Sequence, residues 1–388
     1  MLSRTLTATD LARHSCFLWG PRQTGKSTLL RQLFPDSPYY DLLSAAEFRR
    51  LSAHPGLFRE EILALPKDSP KRPRPVIVDE IQKVPELLDE VQRLMGPGRP
   101  TFILSGSSAR KILRGGGNLL GGRAVRRELL PLSCREIPDF QLERALNHGL
   151  LPPHYLSEDP REALAAYVGT YLREEVLAES LIRNLPAFQR FLEIAALSHG
   201  QPVHFAAIGR ETGVSAPAVR GYFEVLSDTL MGAWVGAWQR RPKRRLLQAP
   251  RFYFFDVGVV NEIAHRGKMR AGSAEFGSAF EHFIQMEIRA WHVYTGRKDA
   301  LCYWRTSSGL EVDFILAEGA LAVEVKSTEN PTADHLKGLR AFAEDHRPKS
   351  SVLVCRAGAP RKTPDGILIL PWRSFIERLW SGDLQDPS

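Results

Sequence analysis

Gly20-Pro21-Arg22-Gln23-Thr24-Gly25-Lys26-Ser27 is the segment that leaves this chain least freedom in how it folds. It fits the pattern GxxxxGK[ST] without a mismatch, and Thr28 follows it. Glycines allow a backbone to wrap closely around an anion, and a helix starting beside them turns its unpaired N–H groups toward that anion. Lys26 then sets a point charge on the β and γ phosphates, and the Ser27 hydroxyl is placed to ligate Mg²⁺. Gly20, Pro21, Arg22, Gln23, Thr24, Gly25, Lys26, Ser27 and Thr28 are therefore the expected binding residues for ATP, with Mg²⁺ as its companion. Such a loop works only between a strand and a helix. Cys16-Phe17-Leu18-Trp19 supplies the apolar strand and Ser27–Leu33 the helix.

The neighbouring sequence repeats this alternation. Pro75-Val76-Ile77-Val78 and Thr101-Phe102-Ile103-Leu104 are short apolar runs, each followed by a helical stretch, Pro85–Met95 and Ser107–Leu113. Short apolar strands separated by helices predict a parallel sheet covered on both faces. The second run ends Asp79-Glu80. A strand ending in two acids sets one carboxylate beside the metal and the next beside the attacking water. Ser105 at the end of the third run is placed to touch the γ-phosphate or the water, while Ser107 suits a helix N-cap. Arg123 follows the turn Leu120-Gly121-Gly122; there it can act on a neighbouring subunit's γ-phosphate or stay a surface residue.

A chain of 388 residues exceeds one ordinary core, and its composition divides it further. The α/β P-loop core is expected over 1–131, a helical lid or connector over 132–185, a winged-helix region over 186–266, and a second α/β unit over 267–388. Glu162–Leu181 carries Leu164, Tyr167, Val168, Tyr171, Leu172 and Val176 at helical spacing. Phe188–Ser198, Phe205–Thr212 and Ala216–Ser227 read as three helices, with the turn Thr212-Gly213-Val214-Ser215 suited to a helix-turn-helix. Ala233–Trp238 and Arg251–Phe255 follow as paired strands. The loop between them carries Arg240, Arg241, Lys243, Arg244 and Arg245. A formal net charge of +8 points the same way, so these residues are expected to track a DNA backbone. A solvated charged loop is the plainer alternative.

The last third reads as a helix from Ser273 to Trp291, strands at Leu301–Arg305, Val312–Leu316 and Leu321–Val325, a helix at Ala333–Phe342 and a strand at Ser351–Cys355. Asp313 and Glu324 converge on a divalent cation, Mg²⁺ or Mn²⁺, if their strands are neighbours. Alternation puts Glu324 and Lys326 on one face, where Lys326 would position a nucleophilic water. Glu281 on the preceding helix adds a further acid. A structural salt-bridge cluster is the alternative. Cys16, Cys134, Cys302 and Cys355 lie far apart with no CxxC pair, so a reducing cytoplasm is expected. No signal segment or membrane-length apolar window is read, and no membrane is expected as a partner.

Taken together these residues resemble the prokaryotic AAA-type ATPases that carry a C-terminal DUF4143 domain. The resemblance covers nearly the whole chain. It rests on GPRQTGKST, VDEIQKVPELL, LSGSS, GGRAVRRELLPLS, FYFFDVG and YWRTSSGLEVDFIL with AVEVKST. The ending is also similar to a PD-(D/E)xK nuclease core, which carries over to Asp313, Glu324 and Lys326, with Glu281 as the helix acid. Val312 stands before Asp313 where that pattern has proline. The resemblance implies a restriction-endonuclease-like C-terminal fold. It also implies a homo-oligomer, a ring or hexamer, in which an arginine such as Arg123 reaches the next subunit's ATP. Two functions fit: an ATPase that remodels or translocates on DNA, branched DNA included, with a nuclease attached, or a switch ATPase that binds a protein partner or operator and cuts nothing.

Overall fold

The structure, a computed structural model, describes residues 2–65, 74–96, 98–107, 120–172, 184–239, 244 and 246–384, without the side chains of 170–172. The chain divides into two compact units. The first comprises 1–132 with 136–138 and 225–231; the second comprises 133–135, 139–224 and 232–388.

The first unit is built on a parallel sheet of β1 (Cys16–Trp19), β2 (Tyr39–Asp41), β3 (Val76–Asp79), β4 (Phe102–Gly106) and β5 (Val125–Glu128), in the order β2-β3-β4-β1-β5. The apolar runs become strands because they are buried along their whole length. Alternation sends Phe17, Trp19, Val76, Val78, Phe102 and Leu104 into one core with Leu51, Phe58, Leu88 and Val91. These last four come from the helices Ala45–Ala53, Gly56–Ala64 and Leu87–Leu94. Helix Leu87–Leu94 buries Leu87, Leu88, Val91 and Leu94 on one stripe, the amphipathic pattern of a helix laid on a sheet. The α/β class and parallel sheet expected from the sequence are both present. The helix expected at Ser107–Leu113 falls almost wholly outside the described residues.

The second unit opens with helices. Pro160–Ala166 is α-helical and continues as a π-helical stretch, Tyr167–Leu172; the rest of the helix expected to Leu181 lies outside the described residues. Leu185–Leu197, Phe205–Thr212 and Ala216–Asp228 form the expected trio. Gly213 closes the second of them in the left-handed region (φ 73°), a conformation glycine adopts without strain.

The second sheet has eight strands: β6 (Gly232–Ala237), β7 (Arg251–Phe254), β8 (Cys302–Arg305), β9 (Glu311–Leu316), β10 (Leu321–Val325), β11 (Ser350–Cys355), β12 (Arg361–Lys362) and β13 (Leu368–Pro371). Their order is β12-β13-β11-β10-β9-β8-β6-β7. β8, β9 and β10 are antiparallel neighbours, and β11 lies parallel to β10 after the crossover helix Lys337–His346. The strand pair expected as a wing is thus the edge of this same sheet, because β6 pairs in parallel with β8 at Gly236↔Cys302 and Ala237↔Tyr303. Main-chain pairing of that kind satisfies backbone groups that an isolated hairpin would leave to solvent.

The FFDVG segment has a structural reason for its composition. Buried Asp256 caps the helix Val257–Ile263, accepting N–H bonds from Gly258 (2.9 Å) and Val259 (3.1 Å). Its other oxygen accepts from the Leu150 N–H at 2.6 Å. Gly149 has φ 79°, and a Cβ there would lie 2.0 Å from Asp256 Oδ1, so no side chain fits.

Candidate nucleotide site and carboxylate cluster

Parallel strands in register bring their C-terminal ends to one edge, and the loops after them build the site there. Asp79 pairs in register with Ser105, and Leu18 with Ser105 on the other side. Gly20, Asp79 and Ser105 therefore share that edge. Gly20 is required by space, since a Cβ would meet the Leu129 carbonyl at 2.4 Å. Gly25 sits at φ 90° as the N-cap of helix Lys26–Leu33. The Thr24 hydroxyl donates to the Pro21 carbonyl at 2.9 Å and tightens the loop. Lys26, only 6% exposed, donates to the Gly20 and Pro21 carbonyls at 2.6 and 3.1 Å. Its ammonium thus lies across the loop. Arg22, Gln23 and Thr28 are exposed, Gly25 and Ser27 are half-buried, and Pro21 and Thr24 are buried.

Asp79 is the hub of the site. It is 1% exposed and accepts three hydroxyls: Ser27 at 2.6 Å, Tyr39 at 2.5 Å and Ser105 on its other oxygen. The Ser27–Asp79 contact joins the two groups that the sequence assigns to Mg²⁺, so the residues present fit that ion. Ser105 is turned onto Asp79 and supports the carboxylate. Glu80 has a left-handed backbone (φ 60°), which ends the strand and releases it from strand alternation. Such a conformation in a non-glycine residue costs on the order of 1–3 kcal/mol and is held by its surroundings. Gln82 donates to Glu80 and, at 3.3 Å, to Ser107. Burial raises the Glu80 carboxyl, while the Lys26 charge opposes that rise. Tyr39 lies in no motif, and Gln82, though inside VDEIQKVPELL, was given no role from the sequence. Arg123 is exposed just ahead of β5, whose first residue, Val125, donates its N–H to the carbonyl of Ser15, the residue before β1. It lies at the opposite edge of the sheet, about 13 Å away for a four-residue strand, and is not brought to its own chain's P-loop.

The second unit gathers the C-terminal acids. The β9–β10 register places Val323 against Phe314, so Glu324 and Asp313 are the next facing pair. Both are buried. Lys326 reaches Glu324 at 2.5 Å and Asp313 at 3.8 Å, and the Val325 N–H bonds Asp313 at 2.8 Å. Burial raises both acids; the Asp313 charge adds to the rise at Glu324, and the Glu311 charge to that at Asp313. Among the described residues Glu324 Oε2 is buried without a hydrogen-bond partner, which fits a cation held through one or two carboxylates and water. Glu281 accepts the Tyr253 hydroxyl at 2.7 Å, and burial with the Asp313 charge pushes its carboxyl up to about 7. Among the described residues no group of three or more His, Cys, Asp or Glu is arranged to hold a metal ion, so Glu281 does not complete a three-acid set. Arg251, unanticipated from the sequence, pairs with Glu311, approaches Asp313 at 4.0 Å and stacks over Tyr303 at 4.2 Å.

Arg240, Arg241, Lys243 and Arg245 lie outside the described residues. Arg244 is bound into its own fold: it pairs with Glu344 at 2.6 Å and Asp345 at 2.8 Å and donates to the Ala341 carbonyl. Among the described residues none of the four cysteines is joined in a disulfide. No helix among the described residues is long and apolar enough to cross a membrane.

Comparison with known proteins matches residues 12–138 to the AAA domain family, 139–270 to a domain of unknown function (DUF8612) and 276–375 to a domain of unknown function (DUF4143). Uncharacterised proteins of Mycobacterium tuberculosis and Mycobacterium bovis are each 26% identical over 328 residues, covering 81% of this chain and 70% of theirs. Among solved structures, a Walker-type ATPase of Pyrococcus abyssi is similar at a TM-score of 0.44 and 16% identity, over 64% of this chain and 90% of that one. The Orc1 protein of Aeropyrum pernix, solved with DNA, is similar at a TM-score of 0.25 and 13% identity, over 65% and 86%.

Proposed function

From the premise that this chain is an AAA-type P-loop ATPase with a C-terminal DUF4143 domain, we propose that it spends ATP on DNA, remodelling it or moving along it, and that its C-terminal acids cut DNA. The observation that carries the reading is the buried Asp313–Glu324 pair on adjacent strands, with Lys326 beside it and a carboxylate oxygen that has no partner among the described residues. At the P-loop, Lys26 neutralises charge on the transferred phosphoryl group and Glu80 orients the attacking water. Ser27 and Asp79 would hold Mg²⁺, which neutralises charge on the β and γ oxygens. Asp313 and Glu324 would hold Mg²⁺ or Mn²⁺, which activates water and polarises the scissile phosphodiester. Lys326 positions that water. Arg123, exposed and distant from its own P-loop, serves a neighbouring subunit in a homo-oligomeric ring, and the work is done in the cytoplasm.

A switch ATPase without nuclease activity is favoured by one observation. Lys326 and Arg251 already lie against the acids, so the cluster has resident counter-charges. Steady-state ATP hydrolysis separates the readings when measured without DNA, then with single strands, duplex, a fork and a four-way junction. A DNA-acting ATPase is expected to speed up about tenfold or more on one of these, since binding that completes the site acts on the barrier at 1.36 kcal/mol per decade. Equal rates across the panel would transfer the assignment to the switch.

A further inference from the structure

Arg4 lies outside every motif of the chain, yet its side chain is only 6% exposed and every contact it makes converges on the P-loop and its surroundings. One guanidinium nitrogen donates to the Thr24 carbonyl at 2.7 Å. Another donates to the Leu130 carbonyl at 2.6 Å and, more weakly, to that of Pro131 at 3.5 Å. The Nε edge faces Glu136 Oε2 at 3.1 Å, and the other Glu136 oxygen accepts the Thr5 N–H at 2.5 Å. Glu136 is 3% exposed at its side chain. The guanidinium is planar, with donors in a rigid fork, so carbonyls held on two of its nitrogens fix its orientation while Glu136 balances its charge.

The Thr24 carbonyl matters because of what shares its peptide plane. In a planar trans peptide the C=O of one residue and the N–H of the next point in opposite directions. The Thr24–Gly25 unit therefore aims the Gly25 N–H away from Arg4 whenever Arg4 holds the Thr24 oxygen. Gly25 is the N-cap of helix Lys26–Leu33, at φ 90°, where its backbone would otherwise have wide freedom. A loop that binds phosphate through backbone N–H groups needs those groups set before the ligand arrives, because ordering them afterwards subtracts from affinity. The Arg4 charge is matched by buried Glu136, so its effect on the nucleotide is chiefly one of geometry.

The geometry assigns Arg4 as a positioning residue of the nucleotide site: it locks the Thr24–Gly25 peptide so that the Gly25 N–H is preset to donate to a nucleotide phosphate. Glu136 is its counter-charge. This rests on the P-loop binding nucleotide as proposed above.

The test is direct binding of Mg²⁺-ADP to the full chain, followed by nucleotide fluorescence, for wild type, Arg4→Lys, Arg4→Met, Glu136→Gln and Lys26→Ala, with unliganded Tm recorded for each. Arg4→Lys keeps the charge but cannot hold the fork, and is expected to weaken ADP binding roughly tenfold, the scale of one charge-assisted hydrogen bond. Arg4→Met is expected to lose at least as much. Glu136→Gln leaves the Thr24 contact in place; it should lower Tm yet weaken ADP less than about threefold, since the lost ion pair does not touch the loop. KM for ATP should rise in the Arg4 variants, with kcat changed much less. Wild-type ADP affinity in Arg4→Lys overturns the assignment. So does a loss that tracks Tm equally in the Arg4 and Glu136 variants, which would mark general loosening of the fold. Equal ADP binding by wild type and Lys26→Ala would instead overturn the P-loop reading itself.

Discussion

Lys26→Ala is expected to reduce ATP hydrolysis by at least roughly 10²–10³-fold, the usual cost of removing one charged group aimed at a transition state. The native lysine is buried and its ammonium is held by the Gly20 and Pro21 carbonyls, at the center of the loop it serves. Because it is held by backbone, little reorganisation is needed when phosphates enter, and its charge acts in a site of low dielectric. Alanine removes that charge and leaves the loop backbone in place, so the fold should survive with a Tm near wild type. Asp79→Asn is the matching variant on the other side of the site. Three hydroxyls donate to Asp79, from Ser27, Tyr39 and Ser105. An amide can accept from only one side, so part of that set must turn away, and the Mg²⁺-dependent rate should fall by a comparable factor. Phosphate release over time reads both. A Lys26→Ala rate above a tenth of wild type would remove the P-loop from the chemistry.

The candidate nucleotide site could be read from the sequence because its parts are local. Gly20 to Thr28 is one continuous segment, and Asp79-Glu80 announces itself at the end of an apolar run. β1, β3 and β4 were readable for the same reason: each is a short apolar run buried along its length. β2 was not, since Tyr39-Tyr40-Asp41 is three half-buried residues with no apolar signature. Its tyrosine reaches Asp79 only because β2 pairs with β3, forty residues along the chain. Arg4 is hidden by the same physics. It meets Thr24, Leu130 and Glu136 through folding alone, and a lone arginine near an N-terminus carries no periodicity or spacing.

The second unit shows the converse. Alternation in Glu324-Val325-Lys326 and the placing of Asp313 one strand earlier predicted a convergence that the β9–β10 register supplies. Arg251, on β7, was missed because its own segment reads as an ordinary edge strand, and its partners lie sixty residues later. In the basic loop only Arg244 is among the described residues. Read from the sequence as one of a run of phosphate contacts, Arg244 also has partners no local pattern announces, the acids Glu344 and Asp345 on the helix Lys337–His346. Charge runs are read from sequence as if solvent were the only competitor, whereas the fold offers its own carboxylates first.

Asp313→Ala should abolish metal-dependent cutting, a fall of at least about 10²-fold on whichever DNA stimulates hydrolysis, because it removes one of the two acids placed to hold the cation. Undiminished cutting by Asp313→Ala would place the nuclease elsewhere or nowhere. Stability supplies an independent reading of the same cluster. Glu281 is raised from the usual 4.5 to about 7, first by burial and then by the Asp313 charge. The folded chain therefore holds that proton more tightly than the unfolded chain, and folding gains most from it below about pH 4.5. The gain is lost as pH rises through about 7, and above that the buried carboxylate opposes folding. Glu281→Gln keeps an oxygen for the Tyr253 hydroxyl and cannot ionise. It is expected to raise stability at pH 8 on the order of 2 kcal/mol while changing little at pH 5. Denaturant unfolding at the two pH values measures this, read on the transition of the second unit. A site kept for chemistry sustains such a cost because the repelling acids are what a cation would bind. A purely structural salt-bridge cluster predicts the reverse, with Glu281→Gln neutral or destabilising at pH 8, and that outcome together with intact cutting in Asp313→Ala would reduce the acids to scaffold.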